Sequence, residues 1–377
     1  MRYTTPPGNV LSTTPALNIK PPVTGDTIAQ FLTAGGLPCF LVNQSVTPLS
    51  VLYSYNVVNI YDFKLNSLKR LLELFNTRYK LNAYLIDTCT GDFTIKINSE
   101  TRSPVYLDRV VNTRTFNNAT RTTCALGLQA DNKTLTLDIA SAPHVLIGGA
   151  TGSGKSVLLN TMINSLLFKN TPLTANFIMI DPKQVELTVY NQLPHLRQPI
   201  ITNAHAALMT LNNVCDEMDN RYRILKSNRL KSIDDRPGIF KRLYIIIDEL
   251  ADLMITTKKA VEPYIIRIAQ LGRACGIHLI IATQRPDRSV ITGLIKANIP
   301  CKIALTTANG YDSKTILNHA GAEKLTGRGH AILKTATSVN EIEFITAYTP
   351  PTDTEAIIKH YIDQLPTLDR LITRFKR

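Results

Sequence analysis

The chain has 377 residues, enough for two domains, and an apolar fraction of 44% suits packed cores rather than a disordered chain. Its longest apolar runs, Tyr244–Ile247 and Ile277–Ala282, fall far short of a bilayer span, and no apolar core follows the charged start, so neither a membrane segment nor a secretory leader is expected. Lys and Arg number 42 against 29 Asp and Glu, and the net charge of +13 favours a polyanionic partner, nucleic acid above all. The six cysteines (Cys39, Cys89, Cys124, Cys215, Cys275 and Cys301) show no Cys-x-x-Cys pair; they suit reduced thiols and a cytoplasmic location rather than a disulfide framework or a zinc site.

Residues 1–30 are rich in Pro, Thr and Asn and lack periodicity, which predicts a flexible or extended arm. Residues 31–123 read as a smaller α+β domain with a linker. Leu65, Leu68, Leu71, Leu72 and Phe75 have the spacing of an amphipathic helix over Leu65–Tyr79. Alternation at Ala83–Ile86 and Phe93–Ile97 predicts two strands joined around Thr90-Gly-Asp92, and the polar stretch Asn112–Thr123 reads as the linker.

Over residues 124–377 apolar strands alternate with helices, the mark of an α/β fold with a central, mostly parallel sheet. The expected strands are Val145–Ile147, Phe177–Ile180, Leu243–Ile247, Ile277–Ala282 and Lys302–Leu305. The expected helices are Ser156–Phe168, His205–Lys226, Val261–Cys275 and Asp312–Asn318. A last helix near Asp353–Gln364 follows Pro350-Pro351, with Thr352-Asp-Thr-Glu355 as a capping-box pattern.

The most specific motif joins the first of these strands to its helix. Gly149, Gly154, Lys155 and Ser156 satisfy the phosphate-loop spacing, between an apolar strand and a helical run. Gly149, Ala150, Thr151, Gly152, Ser153, Gly154, Lys155, Ser156 and Val157 are therefore the expected nucleotide-binding residues. Glycines let N–H groups turn toward an anion, and the helix N-terminus adds the positive end of its dipole. Lys155 would reach the β- and γ-phosphates of ATP, and the Ser156 hydroxyl would ligate Mg2+.

Two further strand ends belong with this loop. Leu243–Ile247 delivers adjacent carboxylates, of which Asp248 would hold the metal and Glu249 would act as general base. Ile280-Ile-Ala-Thr283-Gln284 ends in polar side chains that could contact the γ-phosphate or the attacking water, so Gln284 joins Lys155 and Glu249 as a catalytic candidate. His195 and His278 lack metal-ligand spacing and read as structural.

These elements describe an ATPase without naming its track. The segment Phe177-Ile-Met-Ile-Asp181-Pro-Lys183-Gln-Val-Glu186-Leu-Thr-Val-Tyr190 with Pro194-His195-Leu196 resembles the FtsK/SpoIIIE family of double-stranded DNA translocases. So do Asp248-Glu-Leu-Ala-Asp252-Leu-Met254, Arg273-Ala-Cys-Gly-Ile-His278-Leu, Thr283-Gln-Arg-Pro286, Val290-Ile-Thr-Gly-Leu-Ile-Lys296-Ala-Asn-Ile-Pro300, Asp312-Ser-Lys-Thr-Ile-Leu317 and Gly321-Ala-Glu323. The likeness covers about residues 124–348 and is weaker upstream, where Leu65–Tyr79 and Ser103-Pro-Val-Tyr-Leu-Asp-Arg109 match the family's α domain. It implies a RecA-like ATPase motor working as a homo-hexameric ring around duplex DNA, without the family's membrane anchor or winged-helix module.

A ring of this kind implies a cation supplied by the neighbouring subunit, for which Arg267, Arg273, Arg285, Lys296 and Arg328 are the candidates. Arg273, Arg288, Lys296 and Lys302 are the candidate DNA contacts. The rival readings are a related ATPase that powers protein secretion and a non-catalytic DNA-binding ring. A single phosphate loop and strong positive charge weigh against the first, and intact Lys155 and Glu249 against the second.

Overall fold

Thr24 opens the first α-helix by accepting a hydrogen bond from Thr27 N, as the N-cap of α1 (Gly25–Ala34). The computed structural model describes residues 3–14, 21–47, 50–89, 91–98, 104–336, 338 and 340–366. Contacts divide the chain into two units: Pro15–Pro104 with Ala130–Lys133, and Met1–Thr14 with Val105–Gln129 and Thr134–Arg377.

In the smaller unit, α1 is followed by β1 (Cys39–Val46), β2 (Ser50–Val57), α2 (Leu65–Tyr79), β3 (Ala83–Cys89) and β4 (Asp92–Asn98). The strands form an antiparallel sheet in the order β1-β2-β4-β3. Ile28 and Leu32 of α1 and Leu68, Leu72 and Phe75 of α2 share its core with Tyr53, Tyr55, Phe93 and Ile95. The Tyr55 hydroxyl donates to Gly25 O at 2.9 Å, so this buried phenol is satisfied. Helix α2 and strands β3 and β4 lie where alternation and helical spacing place them. The β1–β2 hairpin was not anticipated, because polar Asn43 and Gln44 and a bulge at Leu41/Asn43 break its alternation. Thr90 of the expected turn and Ser103 lie outside the described residues.

The larger unit begins with short helices α3 (Asp108–Val111) and α4 (Arg114–Asn117), then β5 (Thr123–Gln129), β6 (Thr134–Asp138) and β7 (His144–Gly148). Next come α5 (Lys155–Leu167), β8 (Ala175–Ile180), α6 (Ala204–Ser227), β9 (Arg242–Ile247), α7 (Leu250–Thr256), α8 (Glu262–Cys275) and β10 (Ile277–Thr283). The chain closes with α9 (Gly293–Asn298), β11 (Cys301–Leu305), α10 (Gly310–Leu317), β12 (His330–Lys334), β13 (Ile342–Thr346) and α11 (Pro351–Ile362). The nine strands form one sheet in the order β6-β5-β13-β12-β11-β7-β10-β9-β8. Strands β11, β7, β10, β9 and β8 are mutually parallel, and β12, β13, β5 and β6 extend the sheet antiparallel. Among the described residues no helix is long and apolar enough to cross a membrane.

The parallel strands are buried along their length, and one set of their alternate residues (Ile178, Ile245, Leu279) packs with α6 and α8 through Leu211, Met218, Ile265 and Ile268. Helix α5 is buried nearly all round, and three of its polar side chains bond to other elements. Ser165 Oγ accepts from Ala125 N at 2.9 Å, Thr161 donates to Ala347 O, and Asn164 donates to Thr354 Oγ1 at 2.9 Å. The helix that carries the phosphate loop is thus anchored to β5, to the segment after β13 and to α11.

Within the arm expected to be flexible or extended, residues 3–14 run without regular structure apart from one 3-10 turn at Gly8–Val10, and they are tied down by hydrogen bonds. Ser12 bonds Asp353 through N and Oγ at 2.8 and 2.6 Å, and Thr14 N bonds Asp108 Oδ2 at 2.9 Å. Its hydroxyls find carboxylates far away in sequence, a pairing that local periodicity does not register. The stretch expected as a linker, Asn112–Thr123, contains α4 and the buried Phe116. The expected capping box does not form: Pro351 takes the first helical position of α11, where its fixed φ suits helix entry, and Pro350 at the N-cap has no side-chain bond.

His144, His195 and His278 are fully buried in this unit. Burial holds His144 and His195 down to about 3 and pushes His278 well below the ordinary range, with His144 and Arg242 adding to the effect on His278. The unfolded chain takes up protons below about pH 6.5 that these folded sites refuse, so their contribution to stability is lost as pH falls from there toward 3. His319 is raised instead, by its bonds to Ala320 O and Glu341. An NMR titration of labelled histidines is expected to show His144 and His195 still neutral at about pH 5, His278 titrating well below a free imidazole and His319 above one.

Candidate nucleotide site at the sheet edge

Five parallel strands end on one edge of the sheet, and each delivers a residue there: Gly149 after β7, Asp181 after β8, Asp248 and Glu249 after β9, Thr283 and Gln284 at β10, and Thr306 after β11. This is the crevice where open α/β sheets hold ligands. Ala150 N donates to Thr306 O at 2.8 Å and Gly149 N to Thr283 O at 3.3 Å, so the phosphate loop hangs from strands on both sides of β7. Gly329 N closes the loop from below through Ser153 O at 2.7 Å. Gly154, the N-cap of α5, has φ 105°, and a Cβ there would sit 2.6 Å from Gly329 N, so both backbone angle and space require glycine. Ser153 Oγ is buried without a partner inside the loop, an orphan that an anion's oxygen would satisfy.

Lys155 Nζ is 2.7 Å from Asp248 Oδ1 and also donates to Asp248 O; both side chains are nearly inaccessible, at 3% and 2%. Burial raises the Asp248 carboxyl, Lys155 opposes that shift, and Asp181 and Glu186 push it further up. Glu249, 1% exposed, accepts from Thr283 Oγ1 at 2.6 Å, Gln284 N at 3.0 Å and Ala251 N at 3.3 Å. Thr151 Oγ1 donates to Gln284 Oε1 at 2.9 Å, which ties the phosphate loop to the β10 end. Asp181 collects Gln184 N, Glu186 N and Leu187 N at 2.9 to 3.1 Å, and this wrapped turn aims Lys183 at Asp252 (3.4 Å) and Glu249 (3.9 Å).

The carboxylates outnumber the cations here, which suits a divalent ion. Among the described residues no three His, Cys, Asp or Glu side chains converge as a protein-made metal site. The donor set fits Mg2+ held by Asp248 and Ser156 with the remaining positions left to phosphate and water. Bound there, the ion would neutralise phosphate charge.

The expected cations separate by what they already touch. Arg267 is paired with Asp219 of α6 at 2.7 Å. Lys296 donates to Lys314 O at 2.8 Å, at the last turn of α10. Lys302, expected beside a loop, is the second residue of β11, 8% exposed and opposite Lys334, so it is a poor candidate for reaching a partner. Arg273, Arg285, Arg288 and Arg328 are exposed. Arg328 precedes Gly329 and so lies beside this chain's own phosphate loop. Arg273 sits in the last turn of α8, just before β10 begins, at the sheet edge opposite the nucleotide residues.

Sequence reading overlooked Lys258 and Lys259. Both are exposed, with φ 47° and 66°, consecutive left-handed residues without glycine. Backbone strain of this kind gathers at functional surfaces. A Lys-Lys pair directly after a helix was the available signal. Gly329 and Thr306, which hold the loop through backbone alone, left no side-chain signal.

The chain matches the FtsK/SpoIIIE family over residues 106–243 and 235–288. It is 41% identical over 274 residues to the DNA translocase FtsK of Clostridium acetobutylicum, covering 70% of this chain and 36% of that protein. It is 41% identical over 282 residues to the DNA translocase SftA of Bacillus subtilis, covering 72% of this chain and 30% of that protein. The chain thus spans about a third of the length of these relatives. In fold it is similar to the pCW3 conjugation coupling protein TcpA with ATPγS (TM-score 0.62, 23% identity, 89% of this chain and 98% of that one). The cytoplasmic domain of the type VII secretion ATPase EccC from Thermomonospora curvata is also similar (TM-score 0.58, 26% identity, 67% of this chain and 34% of that one). With its phosphate loop, adjacent carboxylates and P-loop ATPase sheet, the chain belongs to the FtsK/SpoIIIE family.

Proposed function

We propose that this chain is an ATP-hydrolysing motor that moves along double-stranded DNA as a hexameric ring in the cytoplasm. The observation that carries the reading is the meeting of phosphate loop, Asp248, Glu249 and Gln284 at one sheet edge, in a chain of net charge +13. ATP places its phosphates over Gly149–Val157, where loop N–H groups and the α5 dipole receive them. Lys155 leaves Asp248 for the β- and γ-phosphates, and Asp248 with Ser156 would hold Mg2+, which would neutralise phosphate charge. Glu249 takes the proton of the attacking water, and Gln284, between Thr151 and Glu249, orients that water.

The trans-acting cation is Arg273. A head-to-tail ring joins opposite faces of successive subunits, so the finger must lie away from its own phosphate loop, be exposed, and be uncommitted. Arg273 meets these conditions; Arg267 and Lys296 are engaged within the chain, and Arg328 lies beside its own loop. Lys258, Lys259 and Arg288, exposed on turns, face the DNA backbone, so binding depends on charge more than on sequence. A secretion motor shares the ATP chemistry but gives duplex DNA no role.

Glu249→Gln is expected to bind ATP normally and to lose turnover by about 100-fold or more, the scale of a general base, while Lys155→Ala loses ATP binding itself. Steady-state hydrolysis with a nucleotide-binding titration separates the two. Unchanged turnover in Glu249→Gln would refute the assignment of the base. Duplex DNA of unrelated sequences should bind with similar affinity, and replacing Lys258 and Lys259 together with Ala should reduce the slope of log K against log salt by about two. Fluorescence anisotropy across a salt series reads that slope; an unaltered slope removes both residues from the DNA contact.

A further inference from the structure

Thr283 is fully buried, so its hydroxyl is not available to sense a phosphate directly. It donates to Glu249 Oε1 at 2.6 Å and accepts from Arg285 N at 3.1 Å, while its carbonyl accepts from Gly149 N at 3.3 Å. The other bonds to the Glu249 carboxylate come from the main-chain N–H groups of Ala251 and Gln284. Oε1 thus receives Thr283, Ala251 and, at 3.3 Å, Gln284 N, while Oε2 receives Gln284 N at 3.0 Å and the approach of Lys183. Of the donors within hydrogen-bonding distance, the Thr283 hydroxyl is the one that can rotate without moving the backbone.

The far side of that hydroxyl leads to the cationic turns. Arg285 begins a segment folded on Asp287, which accepts from Ser289 N at 2.7 Å and Val290 N at 3.1 Å. The segment ends at Thr292, whose hydroxyl donates to Glu262 Oε1 at 2.5 Å. Glu262 N in turn donates to Lys259 O at 3.0 Å. The turn bearing Lys258 and Lys259 and the turn bearing Arg285 and Arg288 are therefore joined by hydrogen bonds into one basic assembly. Thr283 is the side chain between that assembly and Glu249.

We propose that Thr283 is the positioning residue through which engagement of a polyanion by these turns sets the orientation of Glu249. Phosphates drawn to Arg285 and Arg288 shift the Arg285 main chain, the Thr283 hydroxyl follows its N–H, and the Glu249 carboxylate turns with the hydroxyl toward the attacking water. The inference rests on the reading of Glu249 as base and duplex DNA as partner. It replaces a direct phosphate-sensing role for Thr283 with an indirect one.

The test compares the full chain with Thr283→Val, which keeps the side-chain shape, and Thr283→Ser, which keeps the hydroxyl. ATP turnover is measured with and without duplex DNA, alongside KM for ATP and the melting temperature. Thr283→Val is expected to lose about tenfold or more of DNA-stimulated kcat, with KM within about twofold, so that the ratio of stimulated to basal rate falls toward one. Thr283→Ser should restore that ratio. A Thr283→Val protein that keeps the wild-type ratio overturns the proposal, as does an equal fall in basal and stimulated rates that serine fails to rescue. Failure of DNA to stimulate the wild-type chain is a different result: it refutes the DNA reading on which the coupling stands.

Discussion

The buried ion pair between Lys155 and Asp248 is the constraint around which the site is built. Two charges taken out of water tolerate each other only while each has its partner, and removing one from such a pair costs about 3–5 kcal/mol. Burial and the nearby carboxylates Asp181 and Glu186 already raise the Asp248 carboxyl, so Lys155 is what favours its charged form. If Lys155 is to reach phosphate, Asp248 must receive another positive charge. A divalent ion bound with the nucleotide would supply that charge, so that opening the pair would be an exchange of partners.

The sheet gives that exchange a direction. Every residue of the nucleotide site follows the carboxyl end of a parallel strand, while Arg273 lies before β10 at the other edge. A subunit laid out this way carries phosphate-binding groups at one end and an exposed guanidinium at the other, the arrangement that the proposed head-to-tail ring requires. Between the ends, β10 carries Thr283, which touches both the phosphate loop through its carbonyl and Glu249 through its hydroxyl. Events at the cationic turns and at the phosphates therefore meet at one residue.

Much of this was legible in the sequence because the signals are local. Val145–Ile147 and Leu243–Ile247 are unbroken apolar runs and Ile277–Ala282 is interrupted by His278 alone, a pattern that suits a sheet covered on both faces, and the phosphate loop follows the first of them. The antiparallel extension was not legible: β12, His330–Lys334, and β13, Ile342–Thr346, mix polar with apolar residues and become strands by pairing with each other and with β11 and β5. The cations show the same limit. Arg267 and Arg273 are both exposed on one helix, yet the fold gives only the first an acidic partner, Asp219. Lys302 reads as loop-adjacent, but its strand starts one residue earlier and buries it.

The central claim is that each ATP is hydrolysed between two copies of this chain, one giving Lys155 and Glu249 and the other Arg273. Mixing two inactive variants tests it most directly. Lys155→Ala chains retain Arg273, and Arg273→Ala chains retain the phosphate loop, so mixed assemblies contain junctions with a complete site. ATP turnover in the presence of duplex DNA should be near background for each variant alone and should rise on mixing, with a maximum at intermediate ratios. A mixture that stays at background, or an Arg273→Ala protein that is fully active alone, would contradict the account.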